Sequence, residues 1–180
     1  MLETDRLRLR QWKDSDFAVF AEMSADDEVM AYFPKHLSLD ESKALAMKLQ
    51  SIIEGKGWGL WAVALKDSDA FIGFVGLHER EDSLPFSPCV EIAWRLSKIY
   101  WGYGYATEAA NAAVNFAFET LKLDEIVSFT ACVNAKSQLV MERLNMVNMQ
   151  NNFYHPALEP DHELAEHVFY KMTREEWVKR

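Results

Sequence analysis

One carboxylate stands where an apolar strand has no need of it. Glu91 interrupts the run from Cys89 to Leu96. A carboxyl drawn out of water there would be pushed toward neutrality and could act as a general base. Strand alternation puts Glu91, Ala93 and Arg95 on one face, so a solvated Glu–Arg pair is the competing reading. His155, in Phe153-Tyr154-His155-Pro156, offers an imidazole with a near-neutral intrinsic pKa, and Tyr154 and Ser137 offer hydroxyl protons. His78 and His167 fall in or beside expected strands, where histidines are more often structural. The second suggestive stretch is Tyr100-Trp101-Gly102-Tyr103-Gly104-Tyr105-Ala106-Thr107-Glu108, with two glycines just before a helix. Unpaired backbone N–H groups and the helix dipole hold anions at such a place. The missing Cβ lets the main chain come close to phosphate oxygens. The same glycines would also suit a tight turn with no ligand. A dinucleotide fingerprint would need a third glycine where Thr107 stands, and no P-loop pattern is present.

The elements that must position these groups can be read from periodicity. Leu7 and Leu9 alternate with Arg6, Arg8 and Arg10 as in a half-buried strand. A helix is expected from about Asp14 to Met23. Ser38-Leu39-Asp40-Glu41 has the form of a capping box opening a second helix that stops near Gly55. Strands are expected over Leu60 to Lys66, Phe71 to His78 and Cys89 to Leu96. The helix after the glycine pair carries Ala106, Ala109, Ala110, Ala113, Val114, Ala117, Phe118 and Leu121 on one face. Small alanines there let its axis lie close to a sheet. A strand from Ile126 to Val133, a helix from Ala135 to Leu144, a strand from Leu164 to Met172 and a short polar end complete a mixed α/β pattern.

The 180 residues are 49% hydrophobic and 26% charged, which suits one domain over residues 1–180 and excludes disorder. With 28 acidic and 19 basic side chains the net charge is −9. That argues against nucleic acid and anionic membranes as partners and favours attraction of amines. Cys89 and Cys132 have neither disulfide-framework nor zinc spacing, so no metal is expected. No run is long and apolar enough for a membrane span or a signal peptide. The expectation is a cytoplasmic protein, monomer or homodimer. The six tryptophans and eight methionines read mostly as core.

Four segments recur in one order: Thr4-Asp5-Arg6-Leu7-Arg8-Leu9-Arg10; Phe71-Ile72-Gly73-Phe74-Val75-Gly76-Leu77; Val90-Glu91-Ile92-Ala93-Trp94-Arg95-Leu96 followed by Trp101 to Ala109; and Asn134-Ala135-Lys136-Ser137 with Met141-Glu142-Arg143-Leu144-Asn145-Met146. In that order and spacing the chain resembles the GNAT superfamily of acyl-CoA-dependent N-acetyltransferases, in its RimJ/RimL-like branch named for ribosomal-protein acetyltransferases. The resemblance implies a GNAT-like fold: a central, mostly antiparallel twisted sheet whose fourth and fifth strands splay apart, flanked by helices. It implies acetyl-CoA as co-substrate. The family's Q/R-x-x-G-x-G/A cradle for the coenzyme pyrophosphate falls on Trp101 to Ala106, with Gly104 fourth and Ala106 sixth. The implied coenzyme set is Trp101, Gly102, Tyr103, Gly104, Tyr105, Ala106 and Thr107, with backbone groups of Trp94, Arg95 and Leu96 and the side chains of Asn134 and Ser137 along the pantetheine. Asn134 is equally suited to a plain helix N-cap.

The implied reaction is direct transfer of an acetyl group to a primary amine, either a peptide or protein N-terminus or a small molecule. Glu91 would be the base, since some members place a glutamate there, and His155 the runner-up. Many members carry a proton-donating tyrosine seven residues after the asparagine. Here that position is Met141, which leaves Tyr154 or Ser137 as donor. Asn145 replaces the usual glycine at the end of the second motif, a substitution that a left-handed helix stop tolerates. Phe33-Pro34-Lys35-His36 sits where the family builds its acceptor pocket. Two other readings stay open: a catalytically silent acyl-CoA-binding or regulatory module, and an α/β protein whose glycines only make a turn.

Overall fold

A computed structural model describes residues 1–180. The alternating Leu7 and Leu9 are fully buried in β2 (Leu7–Arg10), which the two-residue β1 (Leu2–Glu3) borders at the sheet edge. Next come β3 (Leu60–Leu65), β4 (Phe71–Arg80) and β5 (Cys89–Leu96), each antiparallel to its neighbour. β6 (Glu125–Ala131) lies parallel to β5, and β9 (Glu166–Thr173) runs antiparallel to β6. Two short strands, β7 (Val147–Asn148) and β8 (Phe153–Tyr154), also pair with β9. The spatial order is β1-β2-β3-β4-β5-β6-β9-β7, with β8 beside β9. This is the mixed, mostly antiparallel α/β architecture expected from the sequence.

Helices cover both faces. On one, α1 (Asp16–Ser24) and α2 (Leu39–Lys56) close over Trp12, Phe20, Phe71 and Phe74, whose rings meet at 5.2–6.3 Å. The Ser38/Glu41 capping box is present. The helix passes through Gly55 and stops at Gly57, which takes the left-handed conformation and donates its N–H to the Ile53 carbonyl. The other face carries α3 (Tyr105–Asn115), whose Ala109, Ala110 and Ala113 are fully buried against β4 and β5. The sequence pattern extended this helix to Leu121. Instead it widens after Asn115 into a π-turn over residues 116–120, with the Leu121 N–H reaching the Phe116 carbonyl. Ala117 and Phe118 stay buried, so the periodicity correctly marked the core while the winding changed. Arg174 takes the carbonyls of Phe118 and Leu123 that this end leaves free. The polar tail forms a further short helix, α5 (Arg174–Val178), capped by Thr173 and Glu176. α4 (Ala135–Arg143) follows β6, and Asn145 (φ +62°) ends it in the left-handed region as expected.

Two features position the site. Gly73 lets β4 approach β5 closely, because a Cβ there would stand 2.2 Å from the Arg95 carbonyl oxygen. β5 and β6 share a single register position, Glu91 opposite Val127, and then part. Ser128 bridges the start of the gap, its hydroxyl donating to the Ile92 carbonyl at 3.0 Å. Beyond that point the β6-facing edge of Trp94 to Leu96 has no strand partner.

Candidate active site

The divergence of β5 and β6 opens a cavity of about 720 Å³. Glu91, Trp94, Arg95, Leu96, Trp101, Gly102, Gly104, Tyr105, Ala106, Thr107, Asn134, Ser137 and His155 all line it. Residues singled out separately along the chain therefore meet in one place. Two do not: Tyr103 is 60% exposed and stacks on Tyr105 outside the cavity, and Tyr154 is 61% exposed on β8. Leu96 has already given its carbonyl to the Trp101 indole N–H at 2.9 Å.

At one end the glycine turn opens α3. Gly102 and Gly104 take φ of +84° and +81°, and Gly104 is the N-cap. A Cβ on either would meet nothing closer than Arg6 Nη2, at 3.6 Å from Gly104. Left-handed backbone, not crowding, is why glycine stands here. The first turn of α3 is held in place from the β1–β2 connection. Glu108 accepts from Thr4 Oγ1 at 2.6 Å, from the Arg6 N–H at 3.0 Å and from Arg6 Nε at 2.7 Å. Three cations gather here in an otherwise acidic chain. Arg6 lies 4.5 Å from the Tyr105 ring centre, Lys136 lies 4.2 Å from that of Trp101, and Arg143 lines the cavity. Lys136 and Arg143 had no distinguishing sequence signal, since charges at the start and end of a short helix usually face water.

Asn134 is the N-cap of α4, its Oδ1 accepting from the Ser137 N–H at 3.2 Å while Nδ2 donates to Thr130 Oγ1. It also lines the cavity. Met141 is 1% exposed and apolar where the family's tyrosine would stand.

At the other end Glu91 is 8% exposed. It pairs with Arg80, whose Nη1 donates to Oε2 at 2.9 Å, and not with Arg95. The solvated Glu91–Arg95 pair is therefore corrected: both side chains leave the sheet on the α1/α2 face, but each is sheltered and they do not meet. Burial pushes the Glu91 carboxyl up to about 7, against the opposing pull of Arg80. Arg80 lies two residues beyond the expected end of β4, and its Nε and Nη2 hold Asp82. It was missed because cross-strand register is invisible in a linear pattern.

Three histidines surround this end: His78, opposite Glu91 across β4/β5, and His155 and His167, with ring centres 5.1 Å apart. Burial lowers the pKa of all three. His155 Nδ1 accepts the Ala157 N–H at 3.2 Å, so its neutral ring carries the proton on Nε2 and has no lone pair left for a base. His167 Nδ1 meets the Ala165 carbonyl at 3.1 Å, which makes it the donor and leaves Nε2 unprotonated. Phe33 and Pro34 reach the cavity from the α1–α2 connection; Lys35 and His36 instead pair with Glu41 and Asp27.

Residues 6–147 match the family model described as acetyltransferase (GNAT) domain. The chain belongs to the GNAT acetyltransferase family. Among its relatives, the uncharacterized N-acetyltransferase YnaD of Bacillus subtilis is 27% identical over 177 residues, covering 98% of each chain. The GNAT fold is shared with a solved GNAT-family acetyltransferase from Bacillus anthracis, at 24% identity and a TM-score of 0.80 over 97% of this chain and 98% of that one. It is also shared with spermidine N-acetyltransferase from Vibrio cholerae, solved with CoA and spermine, at 18% identity and a TM-score of 0.75 over 97% and 99% of the two chains. In this GNAT domain no helix is long and apolar enough to cross a membrane.

Proposed function

We propose that this GNAT domain, a single unit over residues 1–180 in the RimJ/RimL-like branch, transfers an acetyl group from acetyl-CoA to a primary amine held in the Glu91 end of the cavity. The observation that carries the reading is the shape of the cavity: an unpaired strand edge joins an anion-binding helix start to a buried, tuned carboxylate. The residues present fit the coenzyme. The N–H groups of the α3 first turn, with Arg6, Lys136 and Arg143, suit a diphosphate, and the strand edge at Trp94 and Arg95, short of the Leu96 carbonyl that Trp101 occupies, suits an amide-bearing arm.

Acetyl-CoA supplies the thioester. Glu91 in its ionised form takes the proton that an ammonium must lose, directly or through a water. The new N–C bond forms as the C–S bond breaks, and the departing thiolate takes a proton. Ser137, which lines the cavity, is the donor that this arrangement favours over the exposed Tyr154. His167 is the secondary base, because its Nε2 is free while that of His155 is not.

Thiol release from acetyl-CoA with a panel of primary amines tests the reading. Turnover that falls about 10²-fold or more in Glu91→Gln supports it. Coenzyme binding without turnover on any amine would favour a silent acyl-CoA-binding module instead, a reading to which the buried Met141 lends support. No coenzyme binding at all would leave a GNAT scaffold whose glycines only turn the chain.

A further inference from the structure

Arg95 is the charged group that the reaction above does not use. Its guanidinium lies 4.1 Å from the ring centre of Phe33 and 5.3 Å from that of Phe74. Aromatic faces attract a cation but do not satisfy N–H donors in the guanidinium plane. Nε and Nη1 are closed off from solvent and bond to nothing. Burial is the sole influence on its charge, and no carboxylate faces it. Glu28, on the same rim, is engaged by Lys98 at 3.3 Å, and Glu91 by Arg80. The contrast with Arg10 is direct: that buried guanidinium is met by Asp16 through two hydrogen bonds of 2.7 and 3.0 Å. Arg95 lines the cavity, and Nη2, the one guanidinium nitrogen that is not closed off, is where an anion from outside can complete it.

We propose that Arg95 selects the acceptor, which is a primary amine carrying a carboxylate several bonds from its nitrogen, the carboxylate pairing with the Arg95 guanidinium while the amine reaches Glu91. The inference rests on the acetyltransferase reading and narrows its substrate class. Glu91 and Arg95 are four residues apart on one strand face, roughly 13 Å along the strand. The adjacent groups of an α-amino acid are too close together to engage both, whereas an ω-amino acid or a short acidic peptide spans them. A polyamine is disfavoured, because its second ammonium would meet the uncompensated guanidinium.

Three acceptors with one chain length test this: ε-aminocaproate, its carboxamide and hexamethylenediamine, which end in a carboxylate, a neutral amide and an ammonium. The wild-type kcat/KM for the carboxylate is expected to exceed that for the carboxamide by about tenfold or more, with the diamine poorest. In Arg95→Met the carboxylate-to-carboxamide ratio should fall to near one, and in Arg95→Lys it should be partly kept. The ratio is read within one protein sample, so partial unfolding of a variant scales all three rates alike. If Arg95→Met does not fold, the wild-type series decides. A wild-type ratio of one or less, a preference for the diamine, or a ratio unchanged in Arg95→Met overturns the proposal. Calorimetric titration of ε-aminocaproate into coenzyme-A-loaded protein separates the two readings. Arg95-dependent binding with no turnover of any amine sinks the acetyltransferase reading and leaves anion recognition standing. Turnover of other amines with no carboxylate binding does the reverse.

Discussion

Ionising Glu91 places a negative charge in an enclosed cavity with one guanidinium to face it, and that balance sets its pKa. A base must be ionised to act, so kcat/KM for an amine acceptor should rise with pH through an inflection near the value of about 7. Glu91→Gln should lose that inflection; a profile identical to wild type would remove Glu91 from the mechanism. Arg80 pulls the carboxyl down from its desolvated value, so Arg80→Gln should move the inflection to higher pH. An inflection that stays in place in that variant would mean another group titrates. The same shift has a consequence for stability. The folded-state pKa lies above the ordinary 4.5, so the folded chain holds this proton more tightly than the unfolded one. The stabilisation is fully present below about pH 4.5 and is lost as the pH rises through about 7. Urea unfolding should show wild type losing roughly 2–3 kcal/mol relative to Glu91→Gln between pH 5 and 8.

At the scale of elements, the glycine turn and α3 work as one device. Gly104 caps the helix in left-handed backbone, and the Thr4/Arg6–Glu108 hydrogen bonds tie its first turn to the β1–β2 connection. Gly104→Ala meets no steric obstacle, so its cost is conformational, about 1–2 kcal/mol. It should weaken coenzyme A binding by reorienting the first-turn N–H groups. Equal affinity by calorimetry would show that the cradle lies elsewhere. Here the sequence was readable: the face marked by the alanine-rich amphipathic run is buried from Ala109 to Phe118, with Ala106 and Leu121 half-buried at its ends. What a linear pattern could not show was the π-turn after Asn115 or the extra turn of β4 pairing that carries Arg80. Both depend on neighbours distant in the chain, Arg174 in one case and β5 in the other.

Across the whole molecule, charge is segregated. The chain carries a net charge of −9, yet Lys136 and Arg143 line the cavity and Arg6 stands over Tyr105 beside its glycine turn. The buried Arg10–Asp16 pair ties the end of β2 to the start of α1. Asp16→Ala would leave the buried Arg10 charge with only Asp69, 3.7 Å from its Nε, to face it, and should cost about 3 kcal/mol, measured as a fall in the denaturant midpoint at unchanged slope. A loss under 1 kcal/mol would show that Asp69 or water takes over the charge. A ligand that binds only the folded chain stabilises it, so saturating coenzyme A at about 100 times its Kd should raise the free energy of unfolding by about 2.7 kcal/mol.

The sequence by itself determined the order of the main strands and helices (the short strands β1, β7 and β8 and the helix α5 were not legible in it), the buried alanine face, the glycine turn and the candidate glutamate. Each of these is written in local periodicity or in the backbone preference of a single residue type. Tertiary structure alone decided which arginine Glu91 meets, that Tyr154 faces solvent, that three histidines line the same cavity as the carboxylate, and that Arg95 keeps two of its donors unpaired. Those outcomes turn on where β5 and β6 part and on the register of β4 against β5. A pairing register brings together residues far apart in the chain, and the period of either strand alone carries no record of it.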